Sequence, residues 1–234
     1  NIKTLIKARG ADVSALLLDA GTIPAQELAQ LRRESEGWAF LPAPMAHAAL
    51  DAERVLAETG DARRSHLLVD AACFARQLEL ARSSGCQILA DYVRALIDGA
   101  NLKSLVRTLR LKKDAAFLRE LLLPGGTVSP ERIVQHGFSS SAAELFAGSA
   151  LAQAAQAAEA AAAGGSLTEL ERLCDNAALN VIGRARRVPF GVEVPVGYVA
   201  AHENELMSVR LVRTGLRAGS PADEIRERVR ATNG

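Results

Sequence analysis

The stretch Asn101-Leu-Lys-Ser-Leu-Val-Arg107 says most about the fold, because related segments stand at two other places in the chain. The chain opens with Asn1-Ile-Lys-Thr-Leu-Ile-Lys7, and a more distant copy, Glu205-Leu-Met-Ser-Val-Arg210-Leu, lies near the end. Copies that start at residues 1, 101 and 205 are 100 and 104 residues apart. This nearly constant interval predicts one structural unit used three times.

Each predicted unit is a long helical hairpin followed by short helices. Hydrophobic residues make up 49% of the 234 residues but aromatic residues only 4%, a balance that favours helix over sheet. Each copy is followed by a glycine-containing turn and a short helix started by proline, at Pro24, Pro130 and Pro221. We expect an all-α protein with units at residues 1–60, 61–165 and 166–234.

Several landmarks recur within the second and third units. Asp70 precedes Tyr92 by 22 residues, and Asp175 precedes Tyr198 by 23. The two tyrosines are therefore expected at matching places, packed between helices. Long helices are expected over about 87–111 and 196–216, and the alanine tract 154–163 is also expected to be helical.

Charge and motif content argue against several functions. The formal net charge is +1, from 28 basic and 27 acidic residues, whereas a nucleic-acid-binding protein shows a basic excess. No apolar run is long enough to span a membrane. The four histidines are dispersed, and neither a phosphate-binding glycine motif nor a nucleophile motif is present. No metal, cofactor or small-molecule substrate is expected.

The copies and their flanks resemble a known family. Pro189-Phe-Gly-Val-Glu193, followed by Glu203-Asn-Glu205-Leu-Met-Ser-Val-Arg210, resembles the C-terminal signature of the C subunit of V/A-type rotary ATPases. Asp91-Tyr-Val-Arg94 with the central copy, and the opening copy, are similar to that family's other signatures. The family includes the d subunit of the vacuolar proton pump. Its members run longer upstream, so the resemblance implies that part of the first unit is missing.

The resemblance implies a pseudo-threefold, funnel-like arrangement of the three units. It further implies a non-catalytic central-stalk protein, peripheral to the cytoplasmic face of the membrane. The expected partners are the central-shaft subunits and the membrane rotor ring, between which the protein would transmit torque for proton or sodium transport. A helical-repeat adaptor that binds another protein helix in its concave face is the alternative. An all-helical enzyme is a third hypothesis, but the sequence offers no convergent titratable set.

The candidate partner-binding residues lie on the two long helices that carry the second and third copies. They are Asn101, Lys103, Arg107, Glu203, Glu205 and Arg210. Lys103 and Arg107 are four residues apart and share a helix face. This stripe could be a solvated surface beside a buried asparagine, or it could line the funnel and contact the shaft. Glu205 or Arg210 is expected to bridge to another helix.

The densest basic cluster is Arg184, Arg186 and Arg187. At the end of a helix, such residues interact favourably with the helix dipole. Contact with an anionic membrane surface or with acidic loops of the ring is the second interpretation.

Overall fold

The computed structural model describes residues 1–19, 21–35 and 37–231, and every regular element within these ranges is helical. The expected all-α class is therefore confirmed for the described residues. Their α-helices are α1 (Ile2–Ala8), α2 (Ala25–Glu34), α3 (Ala43–Thr59), α4 (Ala62–Ser83), α5 (Gln87–Arg110), α6 (Ala115–Leu121), α7 (Pro130–His136), α8 (Ala142–Leu145), α9 (Ala152–Ala162), α10 (Leu167–Gly183), α11 (Glu193–Arg217) and α12 (Ala222–Arg228). Short 3₁₀ turns lie at Ser14–Leu16 and Arg184–Arg187.

Local sequence explains where many of these helices begin. Asp114, Ser129, Ser141 and Ser166 each stand just before a helix, and each side-chain oxygen accepts a hydrogen bond from the backbone N–H three residues further on. Such caps satisfy a donor that the first helical turn leaves free. The termini of α6, α7, α8 and α10 are thus set by single polar side chains.

One helix start differs from the sequence expectation. We expected α11 to begin near Val196, but it begins at Glu193 and contains Pro195 in its first turn. Proline fits there because a first-turn N–H has no partner within the helix. Further upstream, the Asp12 carboxylate accepts from the Ser14 N–H at 3.0 Å, and one 3₁₀ turn follows.

The chain forms two compact units, Asn1–Arg76 and Gln77–Gly234, each with a core of its own. In the first unit, Trp38 is buried in a core with Ile6, Leu28 and Ala49. The Arg32 guanidinium lies 4.7 Å from the centre of the Trp38 ring, a cation–π geometry. Burial of this large ring anchors the segment between α2 and α3 to the core of its unit.

In the second unit, α5 is the central helix, and α9 and α10 both pack against it. The alanine tract is helical as expected. Ala154, Ala155, Ala158 and Ala161 are all buried. Their small side chains permit close approach between helices, so α9 fills the space beside α5 with little side-chain volume.

The predicted repeat limits fall between helices. The first lies between α3 and α4, and the second lies between α9 and α10. The division into three repeats remains a prediction, since the compact units are two and their boundary lies within α4.

Candidate functional site

Asn101 is fully buried, and its side-chain amide makes its hydrogen bonds entirely within the second compact unit. Its Nδ2 donates to the Leu123 carbonyl at 2.9 Å, and its Oδ1 accepts from the Leu123 N–H at 2.8 Å. Because Leu123 follows the end of α6, this pair of bonds ties the chain beyond α6 back to α5. Asn101 therefore supports the long helix from inside and presents nothing to a partner surface.

Asn1 repeats both of these bonds at the first copy, and Asn204 makes one bond of the same kind near the third copy. Asn1 donates to the Leu18 carbonyl at 2.7 Å and accepts from the Leu18 N–H at 2.8 Å. On α11, Asn204 is buried and donates to the Ala231 carbonyl at 3.0 Å. The alignment of the copies set Glu205 opposite Asn101, but Asn204 resembles Asn101 more closely, because it is buried and donates to a distant backbone carbonyl whereas Glu205 is exposed.

A clear sequence signal supports this corrected register. Val106-Arg107 follows Asn101 by five and six residues, and Val209-Arg210 follows Asn204 by the same distances. This register relates the predicted second and third copies by a shift of 103 residues without a gap. Similarity of Leu-Met-Ser-Val to Leu-Lys-Ser-Leu favours the other register, but a buried polar side chain is the better landmark because its partners are fixed.

Ion pairs also recur around the copies. Lys3 on α1 pairs with Asp70 on α4. Lys103 on α5 lies 4.0 Å from Asp175 on α10, and Asp70 and Asp175 are the landmark aspartates of their hairpins. Twice, therefore, the helix carrying one copy contacts the first helix of the next predicted unit through a lysine and an aspartate.

Arg107 extends this contact between α5 and α10. Its Nη2 lies 2.7 Å from Glu171 Oε1, and Glu171 precedes Asp175 by one helical turn. Of the six candidate residues, Lys103 and Arg107 are thus brought together on the face of α5 that meets α10. Each is engaged with a carboxylate of its own chain.

The three candidates on α11 are exposed and lie apart from the α5 group. Among the described residues, Arg210 has no ion-pair partner. Glu205 lies 3.7 Å from His202 Nδ1 on the same helix, so the expected bridge from Glu205 or Arg210 to another helix is not found in the described chain. Glu203 and Arg210 border a common groove.

That groove has a volume of about 680 Å³ and runs between α11 and the helices α5, α10 and α12. Its floor is apolar, and polar groups stand along its rim. Burial raises the pKa of Tyr92 in the groove, and the nearby charges of Glu203 and Asp175 raise it further. The Tyr92 hydroxyl consequently stays protonated, available as a donor, at neutral pH.

The chain after α12 lies beside the groove, which Arg230 lines. Arg230 donates from Nε and Nη2 to Asp175 Oδ2 at 2.9 and 2.7 Å, and the Ala231 N–H donates to Asn176 Oδ1 at 2.8 Å. Asn204 holds the same segment from the side of α11. The segment is thus fixed to both α10 and α11.

Tyr198 does not match Tyr92. We expected both rings to pack between helices, but Tyr198 is 71% exposed and stacks on His202 with ring centres 6.2 Å apart. In the gapless register, Tyr92 corresponds to Pro195 and Tyr198 to Ala95. The two tyrosines are therefore not equivalent positions.

The arginine cluster divides in the structure. Arg184 Nη2 donates to Asp91 Oδ2 at 3.0 Å, and Asp91 also accepts from Arg94. Arg186 and Arg187 are exposed. Within the described ranges, Arg186 and Arg187 therefore remain unpaired and available for contact with an anionic surface, the second interpretation of this cluster.

Sequence reasoning missed Asp98, a fully buried carboxylate on α5. Its two oxygens accept from the Thr127 N–H at 3.1 Å and the Val128 N–H at 3.2 Å. Burial raises its pKa, although these hydrogen bonds and Arg94 act in the opposite direction. A Cβ at Gly126 would collide with this carboxylate, so Gly126 permits the close approach. Two sequence features could have revealed this contact: an aspartate within an apolar stretch of helix, and a later Gly-Gly pair.

The described residues contain no group of three or more His, Cys, Asp and Glu side chains placed to hold a metal ion. Within the same ranges, none of the helices combines the length and the apolar character needed to cross a membrane. The surface features that stand out are therefore the groove beside α11 and the exposed side of α11 itself.

Comparison with known proteins gives a consistent result. Residues 1–228 match the model of the family described as ATP synthase (C/AC39) subunit. Over 147 residues the chain is 27% identical to a protein of Thermococcus onnurineus (strain NA1) that is named as the C subunit of an A-type ATP synthase. The matched region is 61% of this chain and 39% of that relative, so the chain spans well under two thirds of the relative's length.

Proposed function

The chain belongs to the ATP synthase (C/AC39) subunit family, and on this basis we propose that it is a non-catalytic central-stalk component of an A/V-type ATPase. In this role it is a socket that links the rotating shaft to the membrane ion-carrying ring. It transmits torque for ATP-coupled proton or sodium transport, at the cytoplasmic face of the membrane and without inserting into it. The match over residues 1–228 is the observation that carries this proposal.

The repeated contacts support the proposed architecture of three units in a pseudo-threefold funnel. The asparagine ties at Asn1, Asn101 and Asn204 stand at one position of the copy. The lysine–aspartate pairs at Lys3 and Lys103 join two of the three copy-bearing helices to the next hairpin. Repetition of one contact between successive units generates a curved arrangement, as in other helical repeat proteins.

The groove beside α11 is the proposed contact for the shaft. It is apolar at its floor and has Glu203 and Arg210 on its rim, which suits the end of an amphipathic helix. Lys103 and Arg107 act differently in this proposal: they hold α5 to α10 and so stiffen the wall that bears the load.

A binding experiment tests the assembly. Tagged chain is mixed with the purified shaft subunits and with the detergent-solubilised rotor ring, and the retained proteins are identified. We expect both partners to be retained. Recovery of neither partner would contradict the socket function and leave the helical-repeat adaptor as the favoured alternative.

A functional experiment tests the groove. Complexes are reconstituted into vesicles with Glu203→Lys or with the control Glu159→Lys, which makes the same charge change on the exposed side of α9. We expect Glu203→Lys to reduce ATP-driven ion transport while ATP hydrolysis by the soluble head continues, since only the mechanical link is weakened. Equal transport by the two variants would argue against shaft contact at the groove.

A further inference from the structure

The second compact unit has a polar pocket that is distinct from the groove beside α11. Its volume is about 680 Å³, and it lies between α5, α9 and α10. The pocket and the groove share no lining residue in the described chain. We call it the polar pocket, and its charged and amide side chains are those of Asp91, Arg94, Gln153, Arg172, Asn176, Asn180 and Arg184.

Helix α10 lines the polar pocket with a row of hydrogen-bonding side chains. Arg172, Asn176 and Asn180 on α10, and Arg184 just beyond its end, recur every four residues. This spacing places them on one side of the helix. At a rise of 1.5 Å per residue, the distance along the helix from Arg172 to Arg184 is about 18 Å. The pocket is therefore elongated, with an arginine at each end and two amides between them.

Helix α5 adds positive charge at the Arg184 end of the pocket. Arg94 Nη1 lies 3.3 Å from Asp91 Oδ1, and Arg184 Nη2 lies 3.0 Å from Asp91 Oδ2. One carboxylate thus brings two guanidinium groups together. At the other end, Arg172 forms no ion pair within the described part of the chain.

The lining of the polar pocket has more positive than negative charge. Three arginines and one aspartate line it, which leaves a formal excess of two positive charges. A guanidinium group has five N–H donors and no acceptor. Asp91 accepts from one nitrogen of Arg94 and one of Arg184. Most of the arginine donors are therefore available to a ligand that carries negative charge.

We propose that the polar pocket binds a small polyanion made of linked phosphate groups. The planar guanidinium group matches the oxygens of phosphate and donates two parallel hydrogen bonds to them. A single phosphate reaches the arginines at one end only, whereas a chain of phosphates extends toward both ends and accepts from Asn176 and Asn180 between them. Inorganic polyphosphate and a nucleoside triphosphate share this chemistry. The inference is independent of the rotary role.

Isothermal titration calorimetry of the whole chain tests the proposal, with inorganic tripolyphosphate as the probe. The titrations are done without divalent cations and at one ionic strength, because salt screens the attraction between exposed charges. We expect saturable binding at one site per chain. Orthophosphate and citrate should each bind at least about tenfold more weakly, since these compact anions form charge-assisted hydrogen bonds at one end of the pocket only.

Two substitutions with matched controls locate the binding. Arg172→Gln removes the cation at one end, and Asn180→Asp places a negative charge in the middle; each should weaken tripolyphosphate binding at least about tenfold. Arg119→Gln and Gln156→Glu make the same charge changes at exposed positions outside the pocket, on α6 and α9. These controls should change the affinity less than about twofold. Circular dichroism verifies that each variant is folded.

A parallel titration with ATP distinguishes the two sources of linked phosphates. Tighter binding of ATP than of tripolyphosphate would identify a nucleotide as the ligand, with its base against apolar lining residues such as Leu173 and Val181. ATP that binds no more tightly than tripolyphosphate would identify the inorganic phosphate chain. Either result supports the pocket, and Arg172→Gln should weaken the binding of both probes.

Three outcomes would overturn the proposal. One is the absence of saturable binding of tripolyphosphate to the unaltered chain. Another is an equal loss of affinity in the pocket variants and in their controls, which would indicate attraction by overall charge. The third is equal affinity for orthophosphate and tripolyphosphate, since the pocket would then hold a single compact anion.

Discussion

At the scale of single residues, the buried polar side chains of Asp98 and Asn101 hold the fold together at places that the exposed charged side chains do not reach. Each sits on α5 and binds backbone groups of the chain that follows α6. A buried backbone N–H without a partner is costly. Each of these side chains supplies the hydrogen bonds that the non-helical segment between α6 and α7 does not make within a helix. Neither residue is at a partner surface.

Asp98 gives the protein an unusual pH dependence. Burial raises its folded pKa above the ordinary value of 3.8, so the folded state binds its proton more tightly than the unfolded state does. The contribution to the free energy of unfolding is therefore full below pH 3.8 and is lost as the pH rises through the folded pKa. Most aspartates act in the opposite sense.

Denaturant unfolding of the unaltered chain and of Asp98→Asn between about pH 3 and 7 measures this effect. The free energy of unfolding of the unaltered chain, minus that of the variant, should decline with rising pH. Loss of an acceptor in the variant adds only a constant offset. A difference that stays flat or increases would show that Asp98 is not held with a raised pKa.

At the scale of elements, the helices follow from local sequence while their connections follow from tertiary contacts. Single capping residues begin α6, α7, α8 and α10. The segment between α6 and α7, by contrast, is held by Asn101 and Asp98 from a helix more than twenty residues earlier. The long helix α5 therefore organises the connection that follows it.

Asn101→Ala should lower the free energy of unfolding by about 2–4 kcal/mol, because it removes two hydrogen bonds and leaves the buried Leu123 N–H and C=O without partners. Asn180→Ala is the matched control. Asn180 is exposed on α10, and alanine favours helix, so stability should be unchanged or slightly higher. Urea unfolding measures both, and similar values for the two variants would contradict the structural role of Asn101.

At the scale of the whole molecule, one arrangement of contacts is used more than once. The Lys3–Asp70 pair and the Lys103–Asp175 pair join helices that the predicted repeat would make equivalent. Both pairs are partly exposed, so each stabilises the protein little by itself. Their recurrence matters more for register, since a lysine and an aspartate at fixed positions favour one alignment of neighbouring helices.

Double-mutant cycles test this equivalence. Lys3→Gln with Asp70→Asn, and Lys103→Gln with Asp175→Asn, should each show a favourable coupling of about 0.2–1 kcal/mol. Both couplings should shrink at high salt. Asp175→Asn alone should cost more than Asp70→Asn, because Asp175 also accepts from Arg230. Coupling in one cycle and none in the other would indicate that the pairs are not equivalent.

The helical class, most helix limits and the family could be predicted from the sequence, because composition, caps and motif order act over a few residues or are preserved along the chain. The roles of the polar residues could not. Tertiary packing alone shows that Asn101 is internal, that Asn204 is buried and bonded to a distant carbonyl, and that Tyr198 is exposed. Burial and hydrogen-bond partners depend on which distant segments meet, and residue type alone does not carry that information.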